Sequence, residues 1–210
     1  EGQPYFNGSL YGLQRIDSPE ARQLALDAAK QSIVLLKNAG GVLPLRRGQR
    51  LALIGPHAAA REALVSNYHG SRCTTGWGCV VTPLEAIEEA NTGGTTTSAQ
   101  GVSISGGDEN EIRNAVEAAR AADTVVLLLG LDQTQEREGF DRQLTSLPAM
   151  QQKLAEAVAA LRRPTVLVLV HGGAISLGPL KDSVTAVVDA FYGGESAAEA
   201  LAAVLFGQYN

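Results

Sequence analysis

The chain has 210 residues, 45% hydrophobic and 19% charged, so it can bury a real core and is not of disordered composition. A formal net charge of −5, with no basic cluster beyond Arg46-Arg47 and Arg162-Arg163, argues against a nucleic-acid or anionic-membrane partner. No apolar run approaches membrane-spanning length.

In chain order, residues 1–17 are rich in Gly, Tyr and polar residues without periodicity and read as a linker or strap. Ser18-Pro19 supplies an N-cap and a first-turn proline for a helix in which Leu24, Ala28 and Ser32 share a face. Ile33–Leu36 reads as a buried strand and Leu51–Ile54 as a second, ending in Gly55-Pro56-His57. Thr82-Pro83-Leu84-Glu85 is a capping box that starts a helix running to about residue 90. Asn91–Ala99 reads as a Thr/Gly loop and Val102–Ser105 as a short strand. Asp108 and Glu111 cap a helix with Ile112, Val116 and Ala119 on one face, followed by the strand Thr124–Leu129.

Pro148 opens a helix with the stripe Met150, Leu154, Val158 and Leu161. Thr165–Val170 and Val184–Ala190 read as further strands, and Ser196–Glu199 caps a last helix that reaches Phe206. Buried strands alternating with capped amphipathic helices predict an α/β fold. The expected architecture is a three-layer sandwich, a mostly parallel sheet of five to six strands flanked by helices. The expected organisation is a strap over 1–17 and one domain over 18–210. The chain begins at Glu1 rather than Met and stops behind a helix, which reads as a piece cut from a longer protein.

The segment Gly130–Arg142 concentrates Asp132, Glu136, Arg137, Glu138, Asp141 and Arg142 directly after a buried strand. Ligands of open parallel sheets bind beyond the carboxyl ends of the strands, so this loop is placed for chemistry; a solvated charge-rich connection fits the composition equally. The turn His171-Gly172-Gly173 lacks a phosphate-binding pattern and reads as a simple chain reversal. His57 and His171 end strands and read as satisfied structural histidines. Tyr68, His69 and Trp77 are of the kind that line sugar sites, although core packing accounts for Tyr68 and Trp77 as readily.

Cys73 and Cys79 suit either a small disulfide loop or two free thiols. With only His57, His69 and His171 elsewhere they match no zinc pattern, and no metal or cofactor is expected. Asn7-Gly8-Ser9 is an N-glycosylation acceptor. With the cysteines it leans towards a secreted glycoprotein in an extracellular or lysosome-like compartment.

Glycoside hydrolysis needs two carboxyl groups on opposite sides of the scissile bond. Glu136 and Glu138, two positions apart on one loop, do not make that pair; one would be the acid/base and the nucleophile would lie elsewhere.

Several ordered blocks carry a resemblance. Ala29-Lys30-Gln31-Ser32-Ile33-Val34-Leu35-Leu36-Lys37-Asn38 with Leu43-Pro44-Leu45 resembles the opening of the second domain of glycoside hydrolase family 3. Leu53–Ala58, Asn67–Gly70 and Thr82–Leu84 are similar to its next landmarks, and Gly130–Arg142 to its β-xylosidase branch. The resemblance implies a retaining exo-glycosidase acting on β-linked xylosides, arabinosides, glucosides or short oligosaccharides. It further implies a preceding TIM barrel on the same polypeptide that supplies an Asp nucleophile, while this domain supplies the acid/base.

The position matching that acid/base is Glu136, with Glu138 as the alternative; Tyr68, His69, Asp141 and Arg142 are candidates for the substrate crevice. In the isolated domain Glu136 is expected to be exposed and kept charged by Arg137. These 210 residues alone are expected not to hydrolyse aryl β-xylosides. The alternative function is a non-catalytic carbohydrate-binding or interaction module.

Overall fold

The computed structural model describes residues 17–70 and 76–210. Asn7, Cys73 and the proposed strap, Asp17 excepted, lie outside the described residues. The strands are β1 (Val34–Asn38), β2 (Arg50–Ile54), β3 (Thr95–Ala99), β4 (Thr124–Gly130), β5 (Thr165–Val170) and β6 (Ala186–Asp189). They form one sheet in the order β1-β6-β5-β4-β2-β3, parallel throughout except for β1, which runs antiparallel to β6. The helices are α1 (Pro19–Ser32), α2 (Glu62–Val65), α3 (Pro83–Ala90), α4 (Glu109–Ala121), α5 (Ala149–Ala159), α6 (Leu180–Ser183) and α7 (Ala197–Leu205).

Every residue of β4 and β5 is buried, as expected for central parallel strands covered on both faces. Alternate side chains divide the core. Val126, Leu128, Val166, Val168 and Val188 pack with Ile87 of α3 and Leu201 and Leu205 of α7. Val125, Leu127, Leu129 and Leu167 pack with Ile112 of α4 and Leu154 and Val158 of α5. The steps β2→β3 and β3→β4 run in opposite directions across the sheet, so right-handed crossovers put α3 and α4 on opposite faces. The direction therefore switches between β2 and β4, where an α/β sheet opens its ligand crevice.

The capping signals act as expected. The Ser18 hydroxyl accepts from the Ala21 N–H at 3.2 Å, and Asp108 accepts from the N–H groups of Asn110 and Glu111. Thr82 and Glu85 close a reciprocal box: the Glu85 N–H donates to Thr82 Oγ1 at 3.1 Å and the Thr82 N–H to Glu85 Oε2 at 2.8 Å. Thr82→Ala removes the first bond and is expected to cost about 1–2 kcal/mol, read as a lower urea midpoint with an unchanged slope.

Elsewhere the structure corrects the sequence reading. β1 is an edge strand, and Val34, Leu35 and Leu36 are exposed rather than buried. Thr95–Ala99 is not loop but the opposite edge strand, paired in parallel with β2. Val102–Ser105 forms no strand; Val102 is nonetheless fully buried, packed into the α4–α5 side of the core. On α1 the inward position is Ala29, while Leu24 is exposed. Both faces satisfy helical periodicity, and packing against α7 selects between them. Ser196 stands at the start of α7 without a side-chain capping bond.

Candidate active site

Gly130 ends β4 at a conformation that only glycine tolerates. Its φ is +148°, and a Cβ there would lie 1.9 Å from the Val170 carbonyl oxygen. β4 runs on past β2, whose last register partner is Leu127. The edge of Gly130 facing β2 therefore lacks a strand neighbour. The fully buried Gln151 of α5 takes that place. Its Oε1 accepts from the Gly130 N–H at 2.8 Å, and its Nε2 donates to the Gly130 carbonyl at 2.7 Å and to Ile104 O at 2.7 Å. This amide bracket fixes the point from which the carboxylate loop departs.

The loop begins with a turn in which Asp132 Oδ1 accepts from the N–H and hydroxyl of Thr134, and the Asp132 carbonyl accepts from the N–H groups of Gln135 and Glu136. A tight reversal follows. Arg137 and Phe140 exchange backbone hydrogen bonds of 3.1 and 2.9 Å, leaving Glu138-Gly139 at the tip. Gly139 has φ +75°, the value a type II turn requires at its third residue. The Arg137 guanidinium lies 5.1 Å from the Phe140 ring centroid and braces the reversal. Glu138 is exposed. Its carboxylate, close to the Tyr68 hydroxyl, holds that phenol above its ordinary pKa.

Glu136 is arranged oppositely. Its side chain is only 14% exposed, which corrects the expectation of an exposed group. Oε1 accepts from the Gly172 N–H at 2.6 Å and from the Tyr192 hydroxyl at 2.8 Å; Oε2 accepts from the Gly173 N–H at 3.0 Å. The nearby cation is Arg142, with Nε 3.4 Å from Oε2, and not Arg137, which donates to the Gln133 carbonyl. Burial pushes the Glu136 carboxyl up. The Gly172 N–H, the Tyr192 hydroxyl, the Gly173 N–H and the Arg142 charge together outweigh it, and its pKa lies below the usual carboxylate range. Burial and the same carboxylate push the Tyr192 phenol strongly up.

The Gly172-Gly173 turn is thus more than a chain reversal. Its amides form an anion-binding concavity, and a Cβ on Gly173 would lie 2.8 Å from Glu136 Oε2. His171 Nδ1 meets the Gly173 carbonyl at 2.8 Å, and Nε2 lies 2.9 Å from Asp189 Oδ1, without hydrogen-bond alignment. Phe191 adopts φ +51°, rare for a bulky residue, where the chain leaves β6 towards Tyr192. Sequence reading missed Gln151, Asp189 and Tyr192. The glycine pair after β5 was the one local signal, and it carried no indication that its ligand would be a carboxylate of the chain itself.

The remaining candidates divide. Tyr68 joins Glu138, and Arg142 joins Glu136 while donating to the carbonyls of Leu144 and Ala174. Asp141 is exposed on the same loop. His69 lies edge-on to Trp77 with ring centroids 4.9 Å apart. The crevice at the sheet's switch point is a cavity of about 310 Å³ lined by Pro56, Arg61, Ile104, Asp132 and Gln133. Glu136 turns away from it, towards the ends of β5 and β6. Cys79 is disulfide-bonded, which removes the free-thiol alternative. Among the described residues no cluster of three or more His, Cys, Asp or Glu is placed to share a metal ion.

His57 is fully buried, with the Gly130 backbone and the Asp132 carboxylate as its polar surroundings and no ring nitrogen in a well-aligned hydrogen bond. Burial lowers its pKa to about 4. Between pH 6.5 and 4 the unfolded chain binds a proton that the folded chain excludes, so stability falls as the pH drops through that window. The expected loss is about 2 kcal/mol by pH 5. His57→Leu should flatten it, measured as urea midpoints at pH 7 and pH 5; an equally steep loss in the variant would assign it to another group. The Glu136 contribution is lost only lower, below the ordinary carboxylate range.

Comparison with known proteins agrees with this architecture. The model of the glycosyl hydrolase family 3 C-terminal domain matches residues 33–210. Beta-D-xylosidase 3 and probable beta-D-xylosidase 7 of Arabidopsis thaliana are 39% and 41% identical, over 95% and 99% of this chain. Thermostable beta-glucosidase B of Acetivibrio thermocellus is 36% identical over 92%. The chain spans about a quarter of the length of these relatives.

A solved exo-β-xylosidase of the family, in complex with a xylobiose aziridine probe, superposes with a TM-score of 0.81 at 30% identity, over 96% of this chain and 27% of its own. β-Glucosidase from Listeria innocua in complex with isofagomine superposes with 0.83 at 26% identity, over 93% and 26%. By sequence and by overall fold, this chain belongs to the glycosyl hydrolase family 3 C-terminal domains.

Proposed function

We propose that this domain works within a longer retaining exo-β-glycosidase, with β-xylosides as the leading substrate class, and that Glu138 is its acid/base. The observation that carries the assignment is the contrast between the two loop glutamates. A general acid must hold a proton, deliver it to the glycosidic oxygen and recover it from water. Glu136 has its lone pairs occupied by three donors and a cation, and its environment favours the ionised form. Glu138 stands exposed at the turn's tip, where a docking domain could desolvate it and so raise its pKa.

In the first step Glu138 protonates the leaving oxygen while a carboxylate from the preceding domain attacks the anomeric carbon and forms a glycosyl-enzyme. In the second, the Glu138 carboxylate takes a proton from water as that water displaces the nucleophile, which regenerates both groups. Tyr68, whose phenol lies close to the Glu138 carboxylate, is placed to meet the sugar or its leaving group.

Arabidopsis relatives described as β-D-xylosidases support xylosides over glucosides and arabinosides. The disulfide at Cys79 supports an oxidising, secretory compartment. A non-catalytic module is not favoured, because relatives matched over nearly the whole chain are described as glycosidases. The test is kinetic: in the full-length protein, Glu138→Ala should lose the acid step. An unchanged rate on poorly activated β-xylosides would overturn the reading.

A further inference from the structure

We propose that Glu136 is a positioning residue: a fixed internal anion, held in the Gly172-Gly173 amide nest, that locks the reversal carrying Glu138 over the ends of β5 and β6. The inference rests on the assignment of Glu138 as acid/base and adds how that group is kept in place.

Nothing in the loop's own hydrogen bonding ties the tip to the sheet. The Asp132 turn and the Arg137–Phe140 reversal are both local. Glu136, between them, reaches the segments that follow β5 and β6 at once: Gly172 and Gly173 on one side, Tyr192 on the other. Behind the nest, His171 engages the Gly173 carbonyl and lies against Asp189 on β6. Arg142, past the reversal, pairs with Glu136 and also donates to the Ala174 carbonyl, so both ends of the Glu136–Arg142 segment are pinned to the same turn. The Ser176 N–H, donating to the Thr145 carbonyl at 2.9 Å, continues the seam.

The chemistry fits a carboxylate and not an amide. The two backbone N–H groups and the guanidinium are donors only, one N–H facing each carboxylate oxygen, so Gln in place of Glu turns its NH₂ group towards a donor in either orientation. The carboxylate itself occupies the nest, lying where a Cβ on Gly173 would come within 2.8 Å of Oε2. Misplacing a reacting group by about 1 Å costs on the order of 100-fold in rate.

The experiment uses the full-length protein with Glu136→Gln, Tyr192→Phe and Glu138→Ala, each assayed on 4-nitrophenyl β-xyloside across pH, with and without azide. For Glu136→Gln, kcat should fall about 10- to 100-fold with KM little changed. The basic limb of the pH profile should persist and azide should give no rescue. Tyr192→Phe should show the same signature, weakened to about 3- to 10-fold, and it decides the matter if Glu136→Gln does not fold.

Wild-type kcat in both variants would overturn the proposal. So would azide rescue or loss of the basic limb at position 136, since Glu136 would then be the acid/base itself. Absence of azide rescue at position 138, with the signature at 136 and 192 as described, would instead sink the assignment of Glu138 and leave the anchoring role standing.

Discussion

Glu138→Ala in the full-length protein is expected to lower kcat/KM on a β-xyloside with a poor leaving group by about 10²–10⁴-fold, the range over which a positioned general acid contributes. The loss should depend on the leaving group. A dinitrophenyl xyloside needs little protonation, so its glycosylation step should be almost unaffected, and the glycosyl-enzyme should accumulate because deglycosylation has lost its base. Azide, which needs no base, should then restore turnover and yield a β-xylosyl azide with retained configuration. The basic limb of the kcat/KM profile should disappear with the acid. An equal loss on all leaving groups, without azide rescue, would mean that Glu138 only shapes the site.

Gly130→Ala is expected to be the most destabilising single-methyl change near the site. The added Cβ would lie 1.9 Å from the Val170 carbonyl oxygen and 2.8 Å from its nitrogen, both backbone atoms of the central partner strand β5. The strands must separate at their last paired position, and an L-residue at φ +148° adds backbone strain. Overpacking and a forbidden conformation each cost about 1–3 kcal/mol, so a combined loss of about 3–5 kcal/mol is expected. In a domain of this size that lowers the melting temperature by roughly 6–20 °C. Gln151 brackets the same residue through its N–H and carbonyl, so the shift should propagate to the root of the carboxylate loop and lower kcat as well. A melting temperature within about 2 °C of wild type, well short of that loss, would show that β4 and β5 part easily there.

Much of this was legible in the residues. Thr124–Leu129 and Thr165–Val170 read as central strands because each is an uninterrupted six-residue run of β-branched and leucine residues, the pattern of a strand covered on both faces. Ser18, Thr82 and Asp108 announced helix starts through side chains that satisfy local amides, an interaction that depends on neighbours three positions away. The edge strands were less legible. Val34–Leu36 is as apolar as a core strand, yet exposed. Thr95–Ala99 is as polar as a loop, yet pairs with β2. At an edge, one neighbour's hydrogen bonds and not hydrophobicity decide the conformation.

The sequence by itself determined the layered α/β fold, the family, and the loop proposed to carry the chemistry. Only the tertiary structure separated the two glutamates on that loop. Glu136 and Glu138 differ in sequence by two positions. In space one is enclosed by donors from residues 172, 173 and 192, and the other stands exposed at a turn. Protonation behaviour follows burial and hydrogen-bond donors, and those donors reach Glu136 only because parallel strands bring the ends of β4, β5 and β6 side by side.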